Sequence, residues 1–176
     1  TNQSAVGRGV ISIQTAEEIN DKLIKTIQEN GARVDRAYMC PHRPDEGCDC
    51  RKPKPGMILQ AARELDLDPS RSWMIGDAWS DLLAGQSAGA RGLIMVRTGR
   101  GLDQTREPKP ESLQGYSLVD DLEKAVDTLL ANQGGKVKGY RQAIYTGLPT
   151  IILADIIKKL IFEQRELRGL YHVSSE

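Results

Sequence analysis

All three cysteines of this 176-residue chain, and one of its two histidines, lie in one short stretch, CPHRPDEGCDCRKPKPG. The spacing is Cys40, His42, Cys48 and Cys50, so three soft thiolates and one imidazole share a single loop. This set matches the tetrahedral ligand shell of zinc, and four protein ligands leave no open position for chemistry. The pattern therefore predicts a structural zinc ion that holds the loop. The alternative is a surface loop with free thiols.

The composition is typical of a soluble globular chain and excludes several kinds of partner. Lys+Arg and Asp+Glu both number 24, so the net charge is zero, and aromatic residues are only 5%. General binding to nucleic acid or to a membrane surface would need a basic excess, and base stacking would need more aromatic side chains. No apolar run, including the one near 151–153, is long enough to span a bilayer. Because clustered cysteines are not a disulfide framework, we expect a reducing, cytoplasmic setting.

The apolar pattern alternates between helices and strands. A capping box, TAEE from Thr15 to Glu18, predicts a helix that ends at Asn30. Further strands are predicted at 33–39, 72–77 and 92–99, and further helices at 55–65, at 79–88 and from Asp120 or Asp121 to 131. Such alternation predicts an α/β fold with a parallel sheet covered by helices. Ligands of such sheets lie beyond the carboxyl ends of the strands, where the cysteine loop and Asp77 both fall.

Charged side chains near this sheet edge suit phosphate chemistry. Arg51 and Lys52 directly follow the cysteine loop, where a compact ammonium group neutralises phosphate and a guanidinium group forms bidentate contacts. The alternative is a solvated basic pair. Asp77 follows Gly76 at the end of an apolar strand, where it is placed either to bind Mg²⁺ or to cap the next helix. Asp81 lies one helical turn later and would orient the metal site.

Three stretches together resemble a known enzyme family. TNQSAVGRG, CPHRPDEGCDCRKPKPGM and MIGDAWSDLLAGQSAGA are similar to the second, third and fourth motif regions of haloacid dehalogenase-superfamily phosphatases. The resemblance covers about residues 1–131 and implies that family's Rossmann-like, three-layer parallel sheet. The Pro-Gly-Met that follows Lys54 favours the branch that acts on heptose bisphosphates. Histidinol-phosphate phosphatases, which share a similar cysteine loop, are the alternative.

The resemblance implies a role for each matching residue. Thr1 would bind the transferred phosphoryl group with Asn2 beside it, although a plain loop explains both residues equally well. Arg51 would contact the substrate, a small sugar phosphate. Lys52 would neutralise the phosphoryl group during catalysis, and Asp77 would bind the catalytic Mg²⁺. The four cysteine-loop ligands would hold Zn²⁺.

One family motif has no counterpart. The first motif, Asp-x-Asp-Gly, carries the nucleophile on the central strand, and the nearest string here is DLDPS, a predicted turn. We therefore expect an N-terminally truncated chain that lacks this strand. Its sheet would have an unpaired edge that the missing N-terminal segment or another chain would fill. We also expect no hydrolysis of phosphate esters, because positioning cannot replace a carboxylate nucleophile. A zinc-stabilised assembly module without catalysis is an alternative function.

The last part of the chain carries a different signal. NQGGKVKG at 132–139 predicts a linker between a phosphatase domain at 1–131 and a tail at 140–176. The tail contains an amphipathic helix at about 150–164 and a strand-like end. It resembles an internal piece of sugar-nucleotide reductases of the dTDP-4-dehydrorhamnose reductase type, without their Gly-rich loop or Tyr-x-x-x-Lys pair. The resemblance implies a reductase remnant without nicotinamide binding, in surface-polysaccharide metabolism. The alternative is a helix that packs on the first domain.

Overall fold

The computed structural model describes residues 1–131 and a strand at 143–146. The predicted linker at 132–139, the predicted helix at 150–164 and the strand-like end of the tail lie outside the described residues. In the part that is described, no helix has the length and apolar character needed to cross a membrane.

The described residues form six helices and four strands. In chain order they are α1 (Ser4–Gly7), α2 (Ile13–Glu29), α3 (Gly56–Glu64), β1 (Trp73–Gly76), α4 (Trp79–Ser87), β2 (Gly92–Val96), α5 (Gly101–Gln104), β3 (Ser117–Val119), α6 (Leu122–Ala131) and β4 (Ala143–Thr146). Two 3-10 turns lie at Pro44–Glu46 and Pro69–Arg71. The predicted alternation of helices and strands is confirmed from α3 onward, and β3 is an additional strand.

The four strands form one parallel sheet in the order β3-β2-β1-β4. Ile75 of β1 is in register with Ile94 of β2 on one side and with Tyr145 of β4 on the other. The connection from β1 to β2 runs through α4, because parallel neighbours need a crossover. Both edges of β1 are therefore paired, so the unpaired sheet edge that the missing central strand predicts does not lie beside β1. The pairing strand, β4, comes from the predicted tail.

Alternation along the strands divides the core into two layers, since successive side chains point to opposite faces. On one face, Ile75 and Ile94 pack with residues of α2 and α6, including Ile27 and Leu129. On the other face, Met74 of β1 and Leu93 and Met95 of β2 pack with residues of α3 and α4: Ile58, Leu82 and Ala84. Helices thus cover both faces of the sheet, which is the predicted three-layer arrangement.

Two helix starts are set by side-chain caps. The cap of α2 is Ser12, whose hydroxyl accepts a hydrogen bond from the Thr15 N–H at 3.0 Å. The predicted capping box at Thr15 is therefore placed three residues too late, because Thr15 is already inside the first turn. At α6, the Asp121 carboxylate accepts from the Lys124 N–H at 2.9 Å, so Asp121 and not Asp120 is the cap.

The predicted strand at 33–39 is wrong. Within residues 1–131 and 143–146, this segment has no strand partner, and the nearest pairing is an isolated parallel bridge between Asn2 and Cys40. An apolar alternation becomes a strand only when another chain segment satisfies its backbone groups. The stretch TNQSAVGRG, predicted to be a loop, contains the single helical turn α1.

Candidate active site

The candidate site lies at the carboxyl edge of the sheet, as the sequence predicts. Asp77 follows the last residue of β1, and the loop 97–100 follows β2 beside it. Lys52, which comes from the end of the cysteine loop, reaches the same edge, where its Nζ lies 2.5 Å from Asp81 Oδ1. The other Asp81 oxygen accepts from the Asp77 N–H at 3.2 Å. The structure thus brings the predicted phosphate-binding cation and the predicted metal ligand together.

Lys52 and Asp81 form a buried ion pair. Lys52 is 5% exposed and Asp81 is 2% exposed, which excludes the solvated basic pair as an explanation for Lys52. Asp81 Oδ2 also accepts from the Ala78 N–H at 3.1 Å, so one carboxylate shapes the turn between β1 and α4. Gly76 makes this possible, because a Cβ atom at that position would lie only 2.4 Å from the Asp81 Cβ atom.

Asn2 fixes the backbone of Lys52. Its Oδ1 accepts from the Lys52 N–H at 3.1 Å, and its Nδ2 donates to the Lys52 carbonyl at 3.2 Å. Thr1 is also buried, and its carbonyl accepts from the Cys40 N–H at 2.8 Å. Asn2 therefore has a positioning role that the sequence does not predict. Direct contacts of Thr1 and Asn2 with substrate stay predictions.

Asp77 is held by the loop that follows β2. Its Oδ2 accepts from the Arg100 N–H at 3.0 Å. Asp77 does not cap α4, because the N-cap is Ala78 and the carboxylate that accepts from Ala78 belongs to Asp81. Burial raises the pKa of Asp77 to about 6, while the hydrogen bond from Arg100 opposes that rise. Asp77 fits Mg²⁺, which is commonly held by one or two carboxylates together with substrate phosphates and water.

The four predicted zinc ligands form one cluster, with their ligand atoms all within 4.8 Å of one another. Cys50 Sγ lies 3.1 Å from Cys40 Sγ and 3.5 Å from Cys48 Sγ, and His42 Nδ1 lies 3.3 Å from Cys50 Sγ. Burial, followed by hydrogen bonding with the two neighbouring thiols, raises the pKa of Cys50 to about 12. Without a cation the Cys50 thiol therefore stays protonated, and the donor set of three cysteines and one histidine fits tetrahedral zinc.

Arg51 connects the cysteine cluster to the active-site edge. This half-buried residue donates from Nη1 to the His42 carbonyl at 3.2 Å. Below it, Cys40 packs with Tyr38 and Met57 in a small separate core. The order of the cysteine loop therefore decides where Arg51 and the adjacent Lys52 lie.

Two contacts of the site are not predicted by any sequence pattern. One is the Arg100 N–H at Asp77, and the other is the Gln104 side chain, whose Oε1 accepts from the Trp79 N–H at 3.1 Å. The available sequence signal is the run Thr98-Gly-Arg-Gly directly after an apolar strand. Glycine-rich turns at strand ends often approach ligands or other backbone closely.

A helix-covered parallel sheet with a buried lysine and a strand-end aspartate defines a hydrolase of the haloacid dehalogenase-like class. A family model described as HAD-hydrolase-like matches residues 49–125. A D-glycero-β-D-manno-heptose-1,7-bisphosphate 7-phosphatase of Pseudomonas aeruginosa is 38% identical over 130 residues, which cover 74% of this chain and 71% of that protein. The enzyme of the same name from Haemophilus ducreyi is 39% identical, over 68% of this chain and 69% of its own length.

A solved structure gives the same result. It is the D,D-heptose 1,7-bisphosphate phosphatase of B. bronchiseptica, in complex with magnesium and phosphate, and it superposes with a TM-score of 0.66 at 38% identity. The match covers 75% of this chain and 72% of that one. The chain belongs to the D-glycero-β-D-manno-heptose-1,7-bisphosphate 7-phosphatase family within the haloacid dehalogenase-like hydrolases. The resemblance of residues 1–131 to haloacid dehalogenase-superfamily phosphatases and the α/β fold class that the sequence predicts are confirmed.

Proposed function

We propose that the chain carries the phosphate-binding and magnesium-binding part of a D-glycero-β-D-manno-heptose-1,7-bisphosphate 7-phosphatase site. The observation that carries this proposal is the buried Lys52–Asp81 pair beside Asp77, at the carboxyl edge of the sheet. Phosphoryl transfer requires mainly positioning and neutralisation of charge. A buried ammonium group next to an ordered carboxylate supplies both functions, and relatives named for a bisphosphate substrate support the assignment.

Each residue of the site has a distinct task in this proposal. Lys52 neutralises the transferred phosphoryl group. Thr1, from the first residues of the chain, binds the same group. Arg51 contacts the sugar phosphate from the rim of the site. Asp77 holds Mg²⁺, which when bound neutralises charge on the phosphate oxygens. The magnesium in the B. bronchiseptica relative supports that role.

Zinc has a structural task in the same proposal. The four ligands of the cysteine cluster, Cys40, His42, Cys48 and Cys50, hold Zn²⁺. Because these four ligands fill a tetrahedral shell, the ion takes no part in the chemistry. Its effect is to fix the segment that presents Arg51 and Lys52.

The chain is expected to bind substrate without hydrolysing it. The sequence contains no Asp-x-Asp-Gly, and the carboxylate of Asp81 is committed to Lys52 and to backbone amides. Attack on phosphorus would need a further carboxylate, because the described site residues act only in binding and neutralisation. We therefore expect no phosphate release from the 176-residue protein with Mg²⁺.

Calorimetric titration tests the binding function. We expect D-glycero-β-D-manno-heptose 1,7-bisphosphate to bind only with Mg²⁺ present, and more tightly than histidinol phosphate does. Asp77→Asn should abolish the Mg²⁺-dependent binding of the bisphosphate. Arg51→Ala should weaken binding about tenfold, the loss expected for a charged contact. Lys54→Ala is the matched control, since Lys54 pairs with the exposed Asp49 at 3.0 Å.

Two outcomes would contradict the proposed function. Equal affinity for histidinol phosphate would overturn the choice of substrate. A zinc-loaded, folded protein that binds neither compound would favour the alternative of an assembly module without catalysis.

A further inference from the structure

We infer that the loop after β2 and the helix α5 act as a clamp that positions Asp77 for magnesium. The clamp consists of residues 97–104, in which the Arg100 N–H donates to Asp77 and Gln104 accepts from the N–H of Trp79, two residues after Asp77. The Arg100 backbone amide and the Gln104 side chain make these contacts, so these two groups are the positioning groups of the clamp. The inference rests on the proposed function, because it takes Asp77 as the metal ligand.

The first contact acts on the carboxylate directly. The Arg100 N–H donates to Asp77 Oδ2 at 3.0 Å. A fixed donor at one oxygen sets the plane of the carboxylate. Partners of this kind orient metal ligands, and their loss typically weakens metal affinity by about 10-fold to 100-fold.

The position of that donor is set by close packing at the end of β2. A Cβ atom at Gly101 would lie 1.7 Å from the Val96 carbonyl oxygen, so the backbone of α5 lies directly against the strand end. The Gly101 N–H donates to the Thr98 carbonyl at 3.1 Å, and the Leu102 N–H donates to the Arg97 carbonyl at 3.0 Å. The Arg100 amide is therefore part of a tight turn anchored to the sheet.

The second contact fixes the chain just after Asp77. Gln104 Oε1 accepts from the Trp79 N–H, the first residue of α4, at 3.1 Å. Gln104 Nε2 donates to Glu107 Oε2 at 3.3 Å, which orients the amide group. Trp79 is two residues from Asp77, so Gln104 restrains the backbone on one side while the Arg100 N–H restrains the carboxylate on the other.

A pair of substitutions at Arg100 isolates the backbone donor. Arg100→Pro removes the N–H, and the φ of −87° at this position is close to the range that proline adopts, whereas Arg100→Ala keeps the N–H. We expect Arg100→Pro to weaken binding of Mg²⁺ alone about tenfold and Arg100→Ala to leave it within about threefold. Affinity is measured by NMR titration, using the Ala78 and Trp79 amide signals next to the ligand.

A second series at Gln104 keeps the test decisive if Arg100→Pro fails to fold. Gln104→Met removes the acceptor and should weaken Mg²⁺ binding, whereas Gln104→Glu retains an acceptor oxygen but loses the donor to Glu107, so it should weaken binding less than Gln104→Met does. Leu102→Ala is the matched control, because this side chain in the same helix is 48% exposed. Zinc content and the unfolding midpoint of each variant show that the fold is intact.

The outcomes separate the clamp from the proposed function. If Asp77→Asn loses Mg²⁺ binding while Arg100→Pro and Gln104→Met keep it, the positioning role is overturned and the proposed function stands. If Asp77→Asn still binds Mg²⁺ like the unmodified protein, Asp77 is not the ligand and both are overturned. Weakened binding in Arg100→Pro and Gln104→Met, but not in Arg100→Ala and Leu102→Ala, supports the clamp.

Discussion

At the scale of single residues, the site depends on a lysine that the fold has taken out of water. Lys52 is held at its side chain by Asp81 and at its backbone by Asn2. Burying a charge is costly unless it is paired, and the pair then fixes the geometry of both groups. Under the proposed function, the cationic site is therefore formed before phosphate binds, so little reorganisation is needed on binding.

The buried pair predicts a specific pattern of stability. Lys52→Met leaves the Asp81 carboxylate buried without its partner, so we expect a loss of about 3–5 kcal/mol in the free energy of unfolding. Lys54→Met removes an exposed ion pair and should cost about 1 kcal/mol or less. The double variant Lys52→Met with Asp81→Asn should be more stable than Lys52→Met alone, because Asn keeps an oxygen for the Ala78 N–H. Urea denaturation measures the free energy of unfolding of all three variants. A Lys52→Met protein as stable as the Lys54→Met protein would contradict the argument.

We expect the affinity for Mg²⁺ to depend on pH through the protonation of Asp77. Burial raises the pKa of this carboxyl to about 6, so protons compete with the ion below that pH. Binding requires the deprotonated form, and affinity therefore falls as the pH falls. We expect Mg²⁺ affinity to drop about tenfold between pH 7 and pH 5, with little change from pH 7 to pH 8. Calorimetry across this range measures it, and an affinity that is flat from pH 5 to pH 8 would show that Asp77 is not the titrating ligand.

The residues that could be predicted from sequence are those whose chemistry is local. Four candidate zinc ligands within eleven positions, and an aspartate at the end of an apolar strand, are visible in the chain itself. The roles of Asn2 and Arg100 depend on partners far away in sequence, Lys52 and Asp77. No periodicity or spacing reports such pairs, because the fold alone creates them.

At the scale of elements, the cysteine loop and α3 form one unit. A Cβ atom at Gly56, the first residue of α3, would lie 2.2 Å from the Asp49 carbonyl oxygen, so helix and loop are in direct contact. Met57 of the same helix packs with Cys40. A metal that orders the loop therefore also supports the start of α3 and the placement of Arg51.

Removal of zinc should expose one peptide bond of this unit to cleavage by trypsin. Three of the four basic residues of the loop, Arg43, Lys52 and Lys54, precede proline and resist trypsin, which leaves the bond after Arg51. We expect a chelator to produce a new tryptic cut after Arg51, because structural zinc contributes its binding energy to folding of the loop. Cys48→Ser should be cut there without chelator. Identical digestion patterns with and without chelator would contradict a structural zinc.

Helices and strands are predicted correctly where the local sequence pattern is sufficient. The prediction fails where a strand depends on pairing with a distant segment. β1 and β2 are short apolar runs between polar turns, and burial on both faces makes such runs recognisable. The segment 33–39 has the same apparent quality but pairs with no strand among the described residues. β3 is only three residues long and half-exposed, so its sequence carries little signal.

At the scale of the whole molecule, the sheet joins two parts of the chain that the sequence predicts to be separate, the domain at 1–131 and the tail at 140–176. β4 comes from the predicted tail, and its four residues run in parallel register with all four residues of β1. Every residue of β1 is buried. The strand that ends in the candidate site therefore depends on a segment more than sixty residues later in the chain.

This arrangement predicts that β4 contributes to folding of the phosphatase domain. A chain shortened to residues 1–131 would leave one edge of β1 without hydrogen bonds, whereas a chain shortened to 1–149 keeps β4. At about 1 kcal/mol for each backbone hydrogen bond, we expect the first to lose on the order of 2–4 kcal/mol of stability relative to the second. An open, apolar strand edge also favours self-association, so only the shorter chain should form oligomers as its concentration rises. Urea denaturation and light scattering compare the two, and identical behaviour would show that β1 does not need this partner.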